Sequence, residues 1–181
     1  MPAIGTDSTT GNAARLSAER RDLLEALGVH RAFLRTTADG LSDAQAAHRS
    51  TVSALSIGGL IKHVAFTESN WVGFIISGPD GMGGNDESSD AAHEDSFRMN
   101  EGETLALILE RYDEVARRTD DLVATLPDLD VSQPLPEAPW FEPGARRSAR
   151  RVFLHVIAET AQHAGHADII REAIDGSRTM G

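Results

Sequence analysis

The sequence predicts an all-α protein that forms a single domain, a four-helix bundle. Four long stretches of the chain repeat apolar residues with a period near 3.6, which is typical of helices with one buried face. No segment shows the sustained alternation of apolar and polar residues that a half-buried strand needs. The 181 residues suit one domain with a sizeable core. Four long helices in one domain favour a bundle.

The first helix is predicted over 13–39. Gly40 follows it, in keeping with the preference for glycine just past helix ends. Residues 1–12 are mostly small and polar, and we expect them to form a disordered tail. The bundle domain is therefore expected to span 13–176, and 177–181 are expected to form a short C-terminal tail.

The second helix is predicted over 57–76, after a short helical turn at 42–47. Ser56 is a fair N-cap for it, because a serine hydroxyl accepts hydrogen bonds from the first backbone amides of a helix. Gly58 and Gly59 near its start lower helix propensity, which indicates close packing of another segment at that point.

The second half of the chain is predicted to alternate helices with irregular segments. Residues 78–100 are rich in Gly, Asp, Ser and Glu and predict a mobile acidic loop. A third helical pattern covers 101–126, and the proline-rich segment 127–144 is expected to be irregular. The last helix is predicted from residue 145 or 148 to residue 174, and Gly176 supplies its stop.

The composition excludes several classes of function. The net charge of −11 argues against a nucleic-acid partner, which would require a basic face. No apolar run approaches the roughly 20 residues that span a bilayer, and the N-terminus does not resemble a signal peptide, so we expect a cytoplasmic protein without a membrane partner. The chain has no cysteine, so any thiol chemistry needs a thiol supplied from outside.

The most informative residues lie on the last predicted helix. His155, Glu159, His163 and His166 follow one another at spacings of four, four and three. Since each helical residue advances by about 100°, the four side chains fall within roughly one quadrant of the helix. Imidazole and carboxylate groups suit a divalent transition metal, with zinc favoured and nickel or iron as alternatives.

The second helix carries one histidine, His63, within an apolar stretch. A lone histidine there would most simply be a hydrogen-bonded core residue. Two buried polar patches on two helices of one bundle are costly unless they satisfy each other, and a shared metal does so directly. Glu159 and His163 have the i, i+4 spacing of helical ligand pairs, and His166 is also able to bind. His155 is interpreted as a ligand, a neighbour of one, or part of the pocket wall.

Other interpretations of these residues remain open. Glu159 is also explained as a surface carboxylate paired with Arg151, and His155 and His166 as residues outside the coordination sphere. Three further histidines lie in polar or loop contexts without partners at ligand spacing, and we interpret them as solvated: His30, His48 and His93.

Two segments resemble a known family. Residues 56–63 (Ser-Ile-Gly-Gly-Leu-Ile-Lys-His), followed by Glu68 and Trp71, resemble the second helix of the DinB/YfiT-like metalloprotein superfamily. Residues 159–172 resemble its last helix in an actinobacterial branch. The resemblance covers about 15–176 and implies an up-down-down-up four-helix bundle.

The resemblance also implies a ligand set and a reaction class. Its three metal ligands fall on His63, Glu159 and His163. Many members have a histidine where this chain has Glu159, and the glutamate version resembles the mycothiol-dependent maleylpyruvate isomerase. Characterised relatives are transferases and isomerases that use mycothiol or bacillithiol, and they often dimerise, so a homodimer is among the expectations.

The resulting functional hypothesis is a metal-dependent thiol transferase. It would transfer a low-molecular-weight thiol such as mycothiol to a small electrophile, or isomerise a substrate through such an adduct. Three protein ligands leave metal positions open for this chemistry. His166 and His155 are the candidate catalytic residues.

The candidate cosubstrate-binding residues are Trp71 and two arginines near the start of the last helix, Arg150 and Arg151, which have Arg146 and Arg147 beside them. These arginines would meet the carboxylate of a thiol cosubstrate or of an acidic substrate, and a solvated basic helix end is the alternative. Two other functions stay open: a metal-dependent hydrolase that activates water, and a bundle that binds a metal or small ligand without turnover.

Overall fold

The structure, a computed structural model, describes residues 16–83, 87–139 and 141–179. Within these residues helices dominate, which confirms the all-α prediction. The predicted tail 1–12 lies outside the described residues. The α-helices of the described part are α1 (Ala18–Thr36), α2 (Asp43–Ala47), α3 (Ile57–Ser77), α4 (Glu87–Ser96), α5 (Leu105–Thr125) and α6 (Ala149–Asp175).

The ends of the long helices follow the capping residues. Ser56 Oγ accepts the Gly59 amide at 3.3 Å and starts α3 where the sequence predicted. Ser148 caps α6 in the same way, and Gly176 ends it with a φ of 80°. The first helix was predicted to start at residue 13, but α1 begins at Ala18 because Ser17 accepts the Arg20 amide.

The four long helices pack in a closed ring. Helix α1 packs against α6 and α5, and α3 packs against α5 and α6. Buried apolar side chains from these helices fill the interior, among them Leu27, Leu60, Phe74, Ile108 and Phe153. The up-down-down-up topology implied by the resemblance stays a prediction. No helix of the described part is long and apolar enough to cross a membrane.

The segment predicted as a mobile acidic loop is mostly helical, so that prediction was wrong. A 3₁₀ helix covers Gly78–Met82, and α4 covers Glu87–Ser96. The chain after α4 lies directly on α3, because a Cβ atom at Gly59 would sit 2.0 Å from the Phe97 carbonyl oxygen. The close packing that Gly58 and Gly59 indicated is therefore confirmed.

The proline-rich connection before α6 contains one short hairpin. Strands β1 (Ser132–Pro134) and β2 (Arg146–Ser148) pair antiparallel, with Gln133 opposite Arg147. Three-residue strands are too short to show an alternating pattern, which is why the sequence predicted only an irregular segment. The hairpin brings Arg147 to the start of α6.

Candidate metal centre

Helices α3 and α6 bring three potential metal ligands together. His63, Glu159 and His163 each offer one ligand atom, and these atoms lie within 4.8 Å of one another. His163 Nε2 is 3.5 Å from Glu159 Oε2, and the rings of His63 and His163 lie 4.9 Å apart. Both histidines are buried and Glu159 is half-buried. We call these three residues the triad.

The donor set of the triad fits a divalent metal. Two imidazole nitrogens and one carboxylate oxygen form a ligand set that zinc commonly takes in catalytic sites. Ligand atoms in a tetrahedral zinc site lie about 3.4 Å apart, so small side-chain rotations would close the observed spacing. Within the described part of the chain, Glu159 has no arginine or lysine partner; its neighbours are the histidines His155 and His163. Coordination itself stays a prediction.

A hydrogen-bond relay fixes the orientation of His63. The Ser96 hydroxyl donates to the His93 carbonyl oxygen at 2.6 Å, because a carbonyl can only accept. The Ser96 oxygen is then the acceptor for His63 Nδ1, which lies 2.9 Å away. This places the ring proton on Nδ1 and leaves the lone pair of Nε2, which lies 3.4 Å from the Thr67 hydroxyl, as the atom that would bind a metal.

The surroundings of His63 keep its ring neutral. Burial, followed by the nearby His163 and His93, lowers the pKa of His63 from 6.5 to about 3. The ring stacks on Phe97 at a centroid distance of 3.7 Å. A neutral imidazole at pH 7 is the form that binds a metal.

His93 was interpreted as solvated and without a partner at ligand spacing, and its exposed side chain agrees with that interpretation, but the residue lies close to the triad. The side chain is exposed, but its ring lies 5.2 Å from His63 and its carbonyl holds Ser96. Sequence reasoning missed this relay, together with Phe97, because it treated the segment as a loop. The spacing of Ser96 three residues after His93 gave no ligand signal.

The two predicted catalytic histidines occupy different positions around the triad. His155 Nε2 is 3.7 Å from Glu159 Oε1, and its ring meets Trp71 edge to face at 4.9 Å. Burial lowers the pKa of His155, which keeps it neutral at pH 7. His166 Nδ1 lies 3.5 Å from His163 Nδ1, and His166 is not one of the three grouped ligands.

The arginines near the start of α6 divide into two sets. The Arg150 guanidinium pairs with Glu19 and Asp130, so both of its partners are protein carboxylates. Arg151 is exposed and makes no ion pair with any described residue. Arg147 lies over the Trp71 ring at 4.8 Å and near Phe141 at 5.3 Å.

Comparison with known proteins agrees with this geometry. The family model described as mycothiol-S-transferase matches residues 22–176. No curated protein matches the chain. The family match covers most of the 181 residues and includes all of the triad, α3 and α6. The chain therefore belongs to the mycothiol-S-transferase family, one of the DinB/YfiT-like families.

Proposed function

We propose that this protein is a metal-dependent thiol transferase that joins mycothiol to a small electrophile, or isomerises a substrate through such an adduct. The triad would hold one divalent metal. The observation that carries the proposal is the grouping of His63, Glu159 and His163 within 4.8 Å in a chain of the mycothiol-S-transferase family.

The chemistry needs an external thiol because the chain has no cysteine. When bound, a divalent metal lowers the pKa of a coordinated thiol, which makes thiolate available near neutral pH. Three protein ligands leave room for that thiol. The mixed nitrogen and oxygen donors favour zinc, with nickel or iron as alternatives.

The residues around the triad supply the remaining functions. Ser96 holds His63 in one tautomer, and Glu159 supplies the negative charge that balances part of the metal's charge. His155 is neutral and adjacent to Glu159, so it is placed to accept the proton that leaves the thiol. Trp71 forms an apolar wall beside His155. His166, in contact with His163, supports that ligand and is the second candidate for proton transfer.

A thiol-transfer assay tests the proposal. Zinc-loaded protein is mixed with mycothiol and a panel of small electrophiles, and conjugates are quantified by mass spectrometry. We expect zinc-dependent acceleration with mycothiol and less with bacillithiol or glutathione. Glu159→Gln should lose most of the acceleration, whereas Glu172→Gln, an exposed carboxylate on the same helix, should retain it.

Two outcomes would contradict the proposal. Zinc-dependent hydrolysis of an ester or amide, without acceleration by any thiol, would make the protein a hydrolase that activates water. Inactivity in both assays, with retained zinc binding, would make it a binding protein without turnover.

A further inference from the structure

The surface next to His155 carries two arginines that are not neutralised by the protein. Within residues 16–83, 87–139 and 141–179, neither Arg147 nor Arg151 forms an ion pair. The arginines next to them in sequence do have partners within the protein: Arg146 donates to Ser132, and Arg150 pairs with two carboxylates. The chain has 28 acidic and 17 basic residues, so unpaired arginines side by side are unexpected on average.

Arg147 and Arg151 lie close enough for their charges to interact. Burial, and then the charge of Arg151, lowers the pKa of Arg147. Two like charges therefore lie near each other at the start of α6, although the whole chain has a net charge of −11.

Arg147 is held in a fixed orientation. Its guanidinium carbon lies 4.8 Å from the centre of the Trp71 ring and 5.3 Å from that of Phe141. A guanidinium that stacks on aromatic rings keeps its N–H edge available for an oxyanion and loses little freedom on binding one. Trp71 in turn contacts His155, which lies against Glu159 of the triad.

We propose that Arg147, Arg151 and Trp71 form an anion subsite that binds a carboxylate of the electrophilic substrate. The preferred electrophile is thus a small organic acid, with its carboxylate on Arg147 and its reactive carbon toward the triad. The assignment of the acid as the electrophile rests on the proposed function, whereas the subsite itself does not. A guanidinium fork matches the two oxygens of a carboxylate.

A neighbouring cavity is a poorer place for this anion. Residues 135–139 and 141–144 line a cavity of about 530 Å³, and one of them, Phe141, lies 5.3 Å from the Arg147 guanidinium. Glu137 and Glu142 also line it, and their charges would repel a carboxylate. The acid group is therefore placed on Arg147, and the cavity is left for an uncharged part of a ligand.

Calorimetry on metal-free protein tests the subsite without using the reaction. The probes are succinate, uncharged succinamide and inorganic phosphate. We expect succinate to bind and succinamide not to bind. In Arg147→Gln the Kd for succinate should rise roughly tenfold or more, because a charge-assisted pair is lost. The matched control Arg118→Gln removes an exposed arginine on α5 and should leave the Kd unchanged.

The outcomes of these experiments distinguish failure of the subsite from failure of the proposed function. Equal succinate affinity in wild type and Arg147→Gln, with both folded by circular dichroism, would overturn the subsite. Binding of succinamide as tight as that of succinate would also overturn the subsite. Phosphate binding much tighter than succinate binding would overturn the assignment of the ligand group as a carboxylate. If succinate binds as expected but no thiol is transferred, the subsite stands and the proposed function fails. If thiol transfer occurs without preference for acidic electrophiles, the proposed function stands and the assignment of the acid as the electrophile is overturned.

Discussion

Helix α3 carries two buried polar side chains on different faces, Glu68 and His63, and they have different kinds of partner. Glu68 is 1% exposed and pairs with Arg31, which is 6% exposed, at 2.5 Å. Arg31 also bonds to Asp120 at 2.7 Å. His63, on the other face, meets Glu159 and His163 without any arginine or lysine partner among the described residues.

The difference distinguishes the charge-paired Glu68 from the proposed metal site. The Glu68 carboxylate and the Arg31 guanidinium balance each other's charge within the protein, although Glu68 Oε2 and Arg31 Nε are buried without a hydrogen-bond partner. The triad consists of two histidines and one carboxylate, and among the described residues no arginine or lysine balances the charge of Glu159. A half-buried carboxylate that lies among histidines, with no described arginine or lysine beside it, is suited to a cation from outside the protein.

The largest expected effect follows from breaking the Arg31–Glu68 ion pair. Arg31→Met leaves the Glu68 carboxylate buried without its partner and should lower the free energy of unfolding by about 3–5 kcal/mol. Urea denaturation of the metal-free protein measures it. Arg35→Met, which removes an exposed pair with Asp113, should cost less than about 1 kcal/mol. Similar losses in both variants would show that the Arg31 pair is no more important than a surface pair.

Removing a metal donor from the triad should lower metal affinity and leave the stability of the metal-free protein nearly unchanged. His63→Asn retains a donor for Ser96 but loses Nε2, and its affinity for zinc should fall roughly a hundredfold or more. The unfolding free energy of the metal-free protein should change little. Competition with a chromophoric chelator measures the affinity, and His48→Asn, at an exposed histidine, is the control. Zinc affinity equal to wild type would remove His63 from the site.

Helical spacing predicted that His155, Glu159, His163 and His166 share one face of α6, because this placement depends only on the 3.6-residue period. The choice of His63, Glu159 and His163 among the candidates came from the family resemblance, and the structure groups these three residues. Ser56 and Gly176 gave the ends of α3 and α6 for the same local reason, since caps act within one turn.

The supporting residues were not accessible because they depend on tertiary contacts. The Arg31–Glu68 pair joins residues on different helices, and no local pattern links them. The relay through Ser96 exists because Gly59 lets the chain after α4 approach α3. The distinction between Arg147 and Arg150 depends on the hairpin, whose strands are too short to be predicted.

The Ser96 relay predicts an intermediate effect on the triad. Ser96→Ala removes the acceptor of the Nδ1 proton and should weaken zinc binding about 10–100-fold, the usual effect of losing such a supporting bond. Nitrogen NMR of metal-free protein should show the Nδ1–H tautomer of His63 in wild type and a mixture in the variant. Ser96→Thr should restore both, and Ser69→Ala on α3 should alter neither. An unchanged tautomer and affinity in Ser96→Ala would leave Ser96 without a positioning role.

The smallest expected effect is the pH dependence that the buried triad adds to stability. The pKa of His63 is about 3 in the folded state and 6.5 as the ordinary value, so the unfolded chain binds a proton that the folded chain refuses. Stability is therefore lost as the pH falls below 6.5. Between pH 6.5 and 5.5 the contribution of His63 to the unfolding free energy should fall by about 1 kcal/mol in metal-free protein. His63→Asn should lose this slope and His48→Asn should keep it, as measured by urea denaturation at both pH values. Equal slopes in wild type and His63→Asn would mean that burial does not suppress protonation of His63, and the contrast between the two faces of α3 would weaken accordingly.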